Sequence, residues 1–311
     1  MLTGCVYKST GSYYNVRDEQ GAWWICRIRG KLRIDKDIRS TNPIAVGDFV
    51  RFEAEDPEEK KGVIVDIAQR ENYIVRVSPH NKNQKHIIAS NLDQAVLIAT
   101  LTEPKTSLGF IDRFLLTAEL YHIPAVVVFN KYDLIRGSAW EEELAHVRGL
   151  YERAGYTTLV TSTVSSEGLD AFRELLKDKK SLLSGHSGVG KSTLINALDP
   201  RIQARTGEVS DWTGKGQHTT TFAEMFDMAF GGSIIDTPGI KEFGLIDVLK
   251  QEVKEYFPEM RRLQQDCRFN DCQHINEPGC AVKETIGTEA LSEERYISYL
   301  GIVDTIREQE Y

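Results

Sequence analysis

Gly185-His186-Ser187-Gly188-Val189-Gly190-Lys191-Ser192 reads as GxxxxGKS, and its flanks decide the fold. Leu182 and Leu183 before it close an apolar strand over 181–184, and Leu194, Ile195 and Leu198 after it recur at helical spacing. Strand, glycine-rich turn and helix in this order gather backbone N–H groups at a helix N-terminus, where the macrodipole favours an anion. Gly185, His186, Ser187, Gly188, Val189 and Gly190 are expected to cradle nucleotide phosphates. Lys191 would neutralise the β- and γ-phosphates during reaction, Ser192 would ligate magnesium, and Thr193 lies beside it. The bland alternative is a glycine turn beside a strand.

Working outward, a strand ending in Ile234-Ile235-Asp236 runs into Thr237-Pro238-Gly239. This DxxG pattern puts the Asp236 carboxylate behind magnesium and the Gly239 N–H on the γ-phosphate. Taken alone, Asp-Thr-Pro-Gly is also an ordinary turn. Upstream, Asn130-Lys131-Tyr132-Asp133 follows the most apolar strand, 125–129, at the strand end where open α/β sheets bind ligands. Asp133 can accept from the N1–H and exocyclic amine of guanine, a donor pair that adenine does not present. Asn130 can serve the opposite edge and the Lys131 stem can cover the ring. After the next strand, Thr161-Ser162-Thr163 can add a backbone contact, with Ser162 and Thr163 the candidates.

Between these motifs strands and helices alternate: strands 94–100, 125–129, 157–161, 181–184 and 233–236, and helices 112–121, 140–154, 169–176 and 191–197. That is a doubly wound α/β sheet. Residues 1 to about 70 instead read as four or five short strands broken by Gly11, Gly21, Gly30, Gly47 and Gly62, which fits a small closed barrel of the OB type. From Leu249 on, the pattern is helix, cysteine-rich loop and a helix over 292–309 begun by Ser292. The expected domains are a barrel over 1–72, a P-loop domain over 73–245 and a mostly helical metal-binding domain over 246–311.

Bulk properties agree with a multidomain chain. At 311 residues and 41% hydrophobic content there is material for two or three cores. The longest apolar runs, 95–99 and 124–129, are strand-length, and the first residues lack a signal-peptide layout, so a cytoplasmic protein without a membrane span is expected. A formal charge of −8 would argue against nucleic acid, but residues 1–40 hold eight Lys or Arg against four Asp or Glu. Within them Arg27, Arg29, Lys31 and Arg33 recur at every second residue beside Trp23 and Trp24, as RNA phosphates and stacked bases require; a solvated basic edge strand would look the same.

Of five cysteines, Cys267, Cys272 and Cys280 cluster around His274 in the spacing C-x4-C-x-H-x5-C. Three thiolates and an imidazole suit a closed tetrahedral zinc site, against free core cysteines.

Small GTPases carry the phosphate loop, switch threonine, DxxG, NKxD and serine motif in that order, whereas here the last two come first. With the barrel, Gly216-Gln217-His218-Thr219-Thr220-Thr221 and the cysteine knuckle, the chain resembles the ribosome small subunit-dependent GTPase family (RsgA/YjeQ). The resemblance implies a circularly permuted GTPase that hydrolyses GTP faster on the 30S subunit, contacts 16S rRNA, carries one structural zinc and works as a monomeric late checkpoint in subunit maturation. It assigns 199–221 to switch I, with Thr221, or else Thr220, reaching magnesium and the γ-phosphate. It places His218 beside the attacking water, where a glutamine after DxxG is replaced by Ile240. A zinc-containing RNA-binding scaffold and a P-loop ATPase or kinase are the competing readings; NKYD opposes the latter, and the Lys191, Ser192 and Asp236 set opposes the former.

Overall fold

The computed structural model describes residues 1–28, 43–77, 85–202, 223–236 and 248–306. Two compact units divide the chain: Met1–Ala95 with Arg173–Ser184 and Ile195–Gly244, and Val96–Phe172 with Gly185–Leu194 and Leu245–Tyr311.

In the first unit, β1 (Leu2–Ser9) is antiparallel to both β2 (Tyr14–Asp18) and β4 (Phe49–Asp56). The ring closes through β3 (Trp23–Ile28) and β5 (Lys61–Ile67): β2 pairs with β3, β3 runs parallel to β5, and β5 is antiparallel to β4. Closure in the order β1-β2-β3-β5-β4 is that of an OB barrel and removes the exposed sheet edges. Alternation supplies the core: Val6, Tyr14, Val16, Trp24, Cys26, Val50, Phe52 and Ile64 all point inward. The same period separates the two tryptophans, since Trp24 is 5% exposed and Trp23 is 48% exposed. Only Trp23 can therefore meet a partner.

A hairpin that the sequence reading did not resolve, β6 (Tyr73–Val77) and β7 (Lys85–Ser90), follows the barrel. It is clasped through the buried Asp48 carboxylate, which accepts from Arg70 Nε at 2.7 Å and Nη2 at 2.6 Å, from Ser90 Oγ at 2.5 Å and from the Ala45 N–H at 2.8 Å. Next, β11 (Lys180–Ser184) runs parallel to β13 (Ser233–Asp236), but β12 (Glu224–Asp227) is antiparallel to β13, so this sheet is mixed. Barrel strand β1 meets β12 in register, Lys8 opposite Glu224 with an ion pair at 2.8 Å. The barrel is thus hydrogen-bonded to the sheet strand that follows 203–222.

In the second unit, the fully buried β8 (Gln94–Ala99) neighbours β9 (Ala125–Phe129), which is parallel to β10 (Thr157–Val160). Around them pack α1 (Leu108–Leu120), capped by Ser107, and α2 (Trp140–Ala154), ended by Gly155 at φ 111°. Two further helices lie between the strands in sequence, α3 (Leu169–Leu176) and α4 (Lys191–Leu198). The C-terminal part holds a 3-10 segment Lys250–Tyr256, α5 (Pro258–Leu263), α6 (Ala281–Glu284) and α7 (Glu293–Thr305), which the Ser292 hydroxyl caps by accepting from the Arg295 N–H. Leu116 of α1 shares one apolar core with Val253, Phe257, Met260, Tyr299 and Ile302. Beside it Arg295 is buried between Asp112 of α1, at 2.6 Å, and Glu259 of α5, at 2.6 Å. No helix among the described residues is long and apolar enough to cross a membrane.

Candidate nucleotide site and metal cluster

The phosphate loop connects β11 to α4, and two of its glycines are dictated by close approach. A Cβ on Gly185 (φ 145°) would lie 2.3 Å from the Ile98 carbonyl oxygen, and one on Gly190 (φ 94°) would lie 2.5 Å from Asn130 Nδ2. Lys191 Nζ donates to the carbonyls of Gly185 at 2.6 Å and His186 at 3.1 Å, which holds its charge over the loop. Ser187, Gly188, Val189, Ser192 and Thr193 occupy the turn and the first residues of α4, in the geometry of an anion-binding helix start. His186 stacks on Phe110 of α1, ring centroids 3.8 Å apart; burial and then the Lys191 charge hold its imidazole below the usual value.

The residues expected to read guanine are tied to this loop. Asn130 Nδ2 donates to the Val189 carbonyl at 2.8 Å, and Asn130 Oδ1 accepts from Thr161 Oγ1 at 3.0 Å. Lys131 adopts the left-handed conformation at φ 61°, and its Nζ donates to the Glu103 carbonyl at 2.6 Å. Asp133 Oδ1 accepts from Ser162 Oγ at 2.5 Å, while that oxygen also accepts from the Val164 and Ser165 N–H groups at 3.1 and 3.2 Å. Ser162 and Thr161 are fully buried, so they fix the side chains of Asp133 and Asn130 before any ligand arrives. Thr163 follows, half-buried. Sequence reasoning treated Thr161 to Thr163 as a backbone contact and missed that Thr161 orients Asn130; it also missed Phe110 beneath His186 and Glu103 against Lys131.

Asp236 ends β13, where Leu183 is its register partner two residues before Gly185. Gly239, His218, Thr220 and Thr221 lie outside the described residues.

In the C-terminal part, the ligand atoms of Cys267, Cys272, His274 and Cys280 all lie within 4.8 Å of one another. His274 Nδ1 is 3.3 Å from Cys280 Sγ and 3.7 Å from Cys267 Sγ, and the two sulfurs are 4.0 Å apart. A tetrahedron with metal–sulfur bonds of about 2.3 Å has edges of about 3.8 Å, so the donors already span one metal ion. An ion bound by all four donors would have no open position, which suits a structural rather than a catalytic metal. Burial pushes the Cys272 and Cys280 thiols up and the His274 imidazole down to about 4. Glu277 shapes the loop by accepting from the N–H groups of Gln273, Ile275 and Asn276 at 2.8, 2.9 and 3.0 Å.

On the barrel, Arg27 is exposed and bonded to Glu55, and Trp23 lies on the same face of β3. Arg29, Lys31 and Arg33 lie outside the described residues.

A phosphate loop locked to an Asn-Lys-x-Asp loop defines a guanine-nucleotide-binding P-loop protein. Residues 67–246 match the model of the RsgA GTPase family and residues 3–64 that of the RsgA N-terminal domain. The chain is 50% identical over 307 residues to the small ribosomal subunit biogenesis GTPase RsgA of Christiangramia forsetii, covering 97% of this chain and 96% of that one. To the protein of the same name from Flavobacterium psychrophilum it is 48% identical over 304 residues, 97% and 93% of the two chains. The crystal structure of YjeQ from Thermotoga maritima superposes with a TM-score of 0.80 at 31% identity, covering 99% of both chains. That of YloQ, described as a circularly permuted GTPase, does so at 0.76 and 29% identity, covering 100% of this chain and 98% of that one. The chain belongs to the RsgA GTPase family, and it is a GTP-hydrolysing enzyme with its motifs in permuted order.

Proposed function

We propose that this GTPase acts in the assembly of the small ribosomal subunit, hydrolysing GTP slowly alone and faster on the 30S particle, as a late maturation checkpoint. The observation that carries the reading is the Asn130–Val189 bond, which makes one guanine site from two loops that occur in reversed order, within a chain whose relatives are named small ribosomal subunit biogenesis GTPases.

The residues divide the work. Asp133 and Asn130 take the base edges, Lys131 covers the ring, and Ser162 and Thr163 add the third contact to the base. The 185–190 backbone and Lys191 hold the β- and γ-phosphates, with Lys191 countering charge that builds on the bridging oxygen as the bond to the γ-phosphorus breaks. Ser192, Asp236 and Thr221, with Thr220 the substitute, are the candidates to hold magnesium, which screens the phosphate oxygens when bound. The Gly239 N–H is the candidate donor to the γ-phosphate. His218 orients the attacking water and accepts its proton; a neutral imidazole near pH 7 suits that task. Replacing His218 with Ala removes subunit-stimulated turnover and leaves GTP affinity nearly intact.

Zinc is the metal that best suits three thiolates and one imidazole, and it would hold the 267–280 loop against α7. The barrel, through Arg27, Arg29, Lys31 and Arg33, contacts 16S rRNA phosphates. The protein works as a monomer in the cytoplasm, over domains 1–72, 73–245 and 246–311.

Sedimentation of the chain with purified 30S subunits tests the partner: binding with a non-hydrolysable GTP analogue and release with GDP are expected. Equal failure to sediment with both nucleotides removes the ribosomal reading.

A further inference from the structure

Two neighbouring cavities in the first unit share Tyr7 and Arg17 as a common wall. One of them, about 450 Å³, is also lined by Trp23, Arg201, Met225 and Asp227, and a cavity of that size accommodates a nucleotide-sized ligand. Its walls come from two different parts of the fold. Tyr7, Arg17 and Trp23 belong to barrel strands β1, β2 and β3; Met225 and Asp227 belong to β12; Arg201 follows α4.

The seam between them is built firmly. Asp227 Oδ1 accepts from the Tyr7 hydroxyl at 2.9 Å and from Ser233 Oγ at 2.7 Å, while Oδ2 accepts from Arg17. Among the described residues Asp227 is the one carboxylate of the wall, and it is engaged by three donors. Arg201 is anchored through Asp199, yet its side chain remains 67% exposed. Trp23 presents its ring at the rim, with Tyr7 edge-on at 4.8 Å and the Arg17 guanidinium 5.8 Å from the ring centroid. These two contacts hold the ring in place, and the residue remains 48% exposed.

We propose that this seam cavity binds one nucleotide of single-stranded RNA, its base stacked on Trp23 and its phosphates facing Arg17 and Arg201. The proposal rests on the ribosomal reading above and deepens it by naming where RNA is sensed. A flat exposed indole flanked by guanidinium groups is the chemistry that holds unpaired bases, because every base offers a π-face and every linkage an anion. Arg17 and Trp23 lie on β2 and β3, the strands whose face carries oligonucleotides in OB barrels. An acidic peptide would satisfy the arginines but would make no use of the platform.

The position gives the site a regulatory meaning. Arg201 and Ile202 immediately precede 203–222, and Met225 lies three residues beyond it. The family resemblance assigns 199–221 to switch I, so Arg201 lies near the start of that segment and Met225 four residues past its end. An RNA nucleotide that touches Arg201 and Met225 contacts the chain close to both ends of that stretch.

The test uses the full chain with a ten-residue oligouridylate, and separately with purified 30S subunits, both irradiated at 254 nm and mapped by mass spectrometry. Uridine or rRNA adducts are expected on peptides carrying Tyr7, Trp23 or Met225. Trp23→Ala should weaken oligouridylate binding about tenfold or more, while Trp23→Phe, which keeps a stacking ring, should retain most of it. Thermal melting of both variants separates lost binding from lost folding. Adducts confined to other peptides, or a folded Trp23→Ala that binds as the parent does, overturn the proposal. If 30S subunits fail to stimulate the parent enzyme, the proposed function falls, and the seam is still judged by its adducts and its oligouridylate affinity. If stimulation persists undiminished in a folded Trp23→Ala, the function stands and the seam does not carry it.

Discussion

Asn130 and Val189 are 59 positions apart in sequence, and the Asn130 carboxamide donates to the Val189 carbonyl at 2.8 Å. The base-reading loop and the phosphate loop are therefore a single object, although the chain makes the first of them much earlier. Gly190 has no room for a side chain because Asn130 occupies the space. Reversing the motif order is tolerable because each strand keeps its place and only the connections change.

In the proposed function Asp133 sets the base preference: its carboxylate, held by Ser162, offers acceptors where guanine presents two donors. Asp133→Asn puts an amide donor there and should weaken GDP binding at least a hundredfold while improving xanthosine diphosphate binding. Titration with fluorescent analogues of both nucleotides checks it; retained guanine preference would remove Asp133 from the base-reading role.

Arg295 bonds two buried carboxylates, Asp112 and Glu259, and its guanidinium packs 4.6 Å from the Phe257 ring centroid. Arg295→Ala strands both acids in the core and should cost about 3–5 kcal/mol. Asp112→Asn should cost clearly less, since one guanidinium then faces one carboxylate. Urea denaturation of the two variants gives the order.

Metal removal should act on stability before it acts on nucleotide binding. Burial raises the Cys272 and Cys280 thiols, so uptake of a metal by their thiolates must displace protons and affinity should rise with pH. Chelation should lower the melting temperature and leave GDP affinity within a few-fold. A GDP affinity that collapses before the lobe melts would contradict a purely structural site.

Asp199 is 2% exposed and accepts from Arg201 Nε at 2.9 Å and from the Ala229 N–H at 2.6 Å. The Arg201 bonds foremost, with the backbone donors, hold its carboxyl down to about 2. A pKa below the unfolded value of about 3.9 contributes stability above pH 4 that disappears as pH falls through 2. Asp199→Asn should therefore lose up to about 2 kcal/mol at pH 7 and much less at pH 2. Urea midpoints at the two pH values measure the difference.

Much of this was legible in sequence because the phosphate and guanine motifs demand particular residue types at fixed spacing, and because buried parallel strands such as 125–129 are apolar throughout. Tertiary pairing was not legible. Trp23 and Trp24 read as one aromatic pair, but the two-residue strand period sends Trp24 into the barrel. Nothing local announces that Arg295 is buried, because its partner Asp112 is 183 positions away. Thr161 looks like any strand end until Asn130 folds against it. The antiparallel β12 and its pairing with β1 likewise depend on register that no single segment encodes.

The most direct measurement is phosphate release from GTP and from ATP, each with and without purified 30S subunits. The expected result is slow release from GTP alone, a marked rise when subunits are added, and little release from ATP in either case. Equal release from both nucleotides, or a GTP rate that subunits leave unchanged, would contradict it.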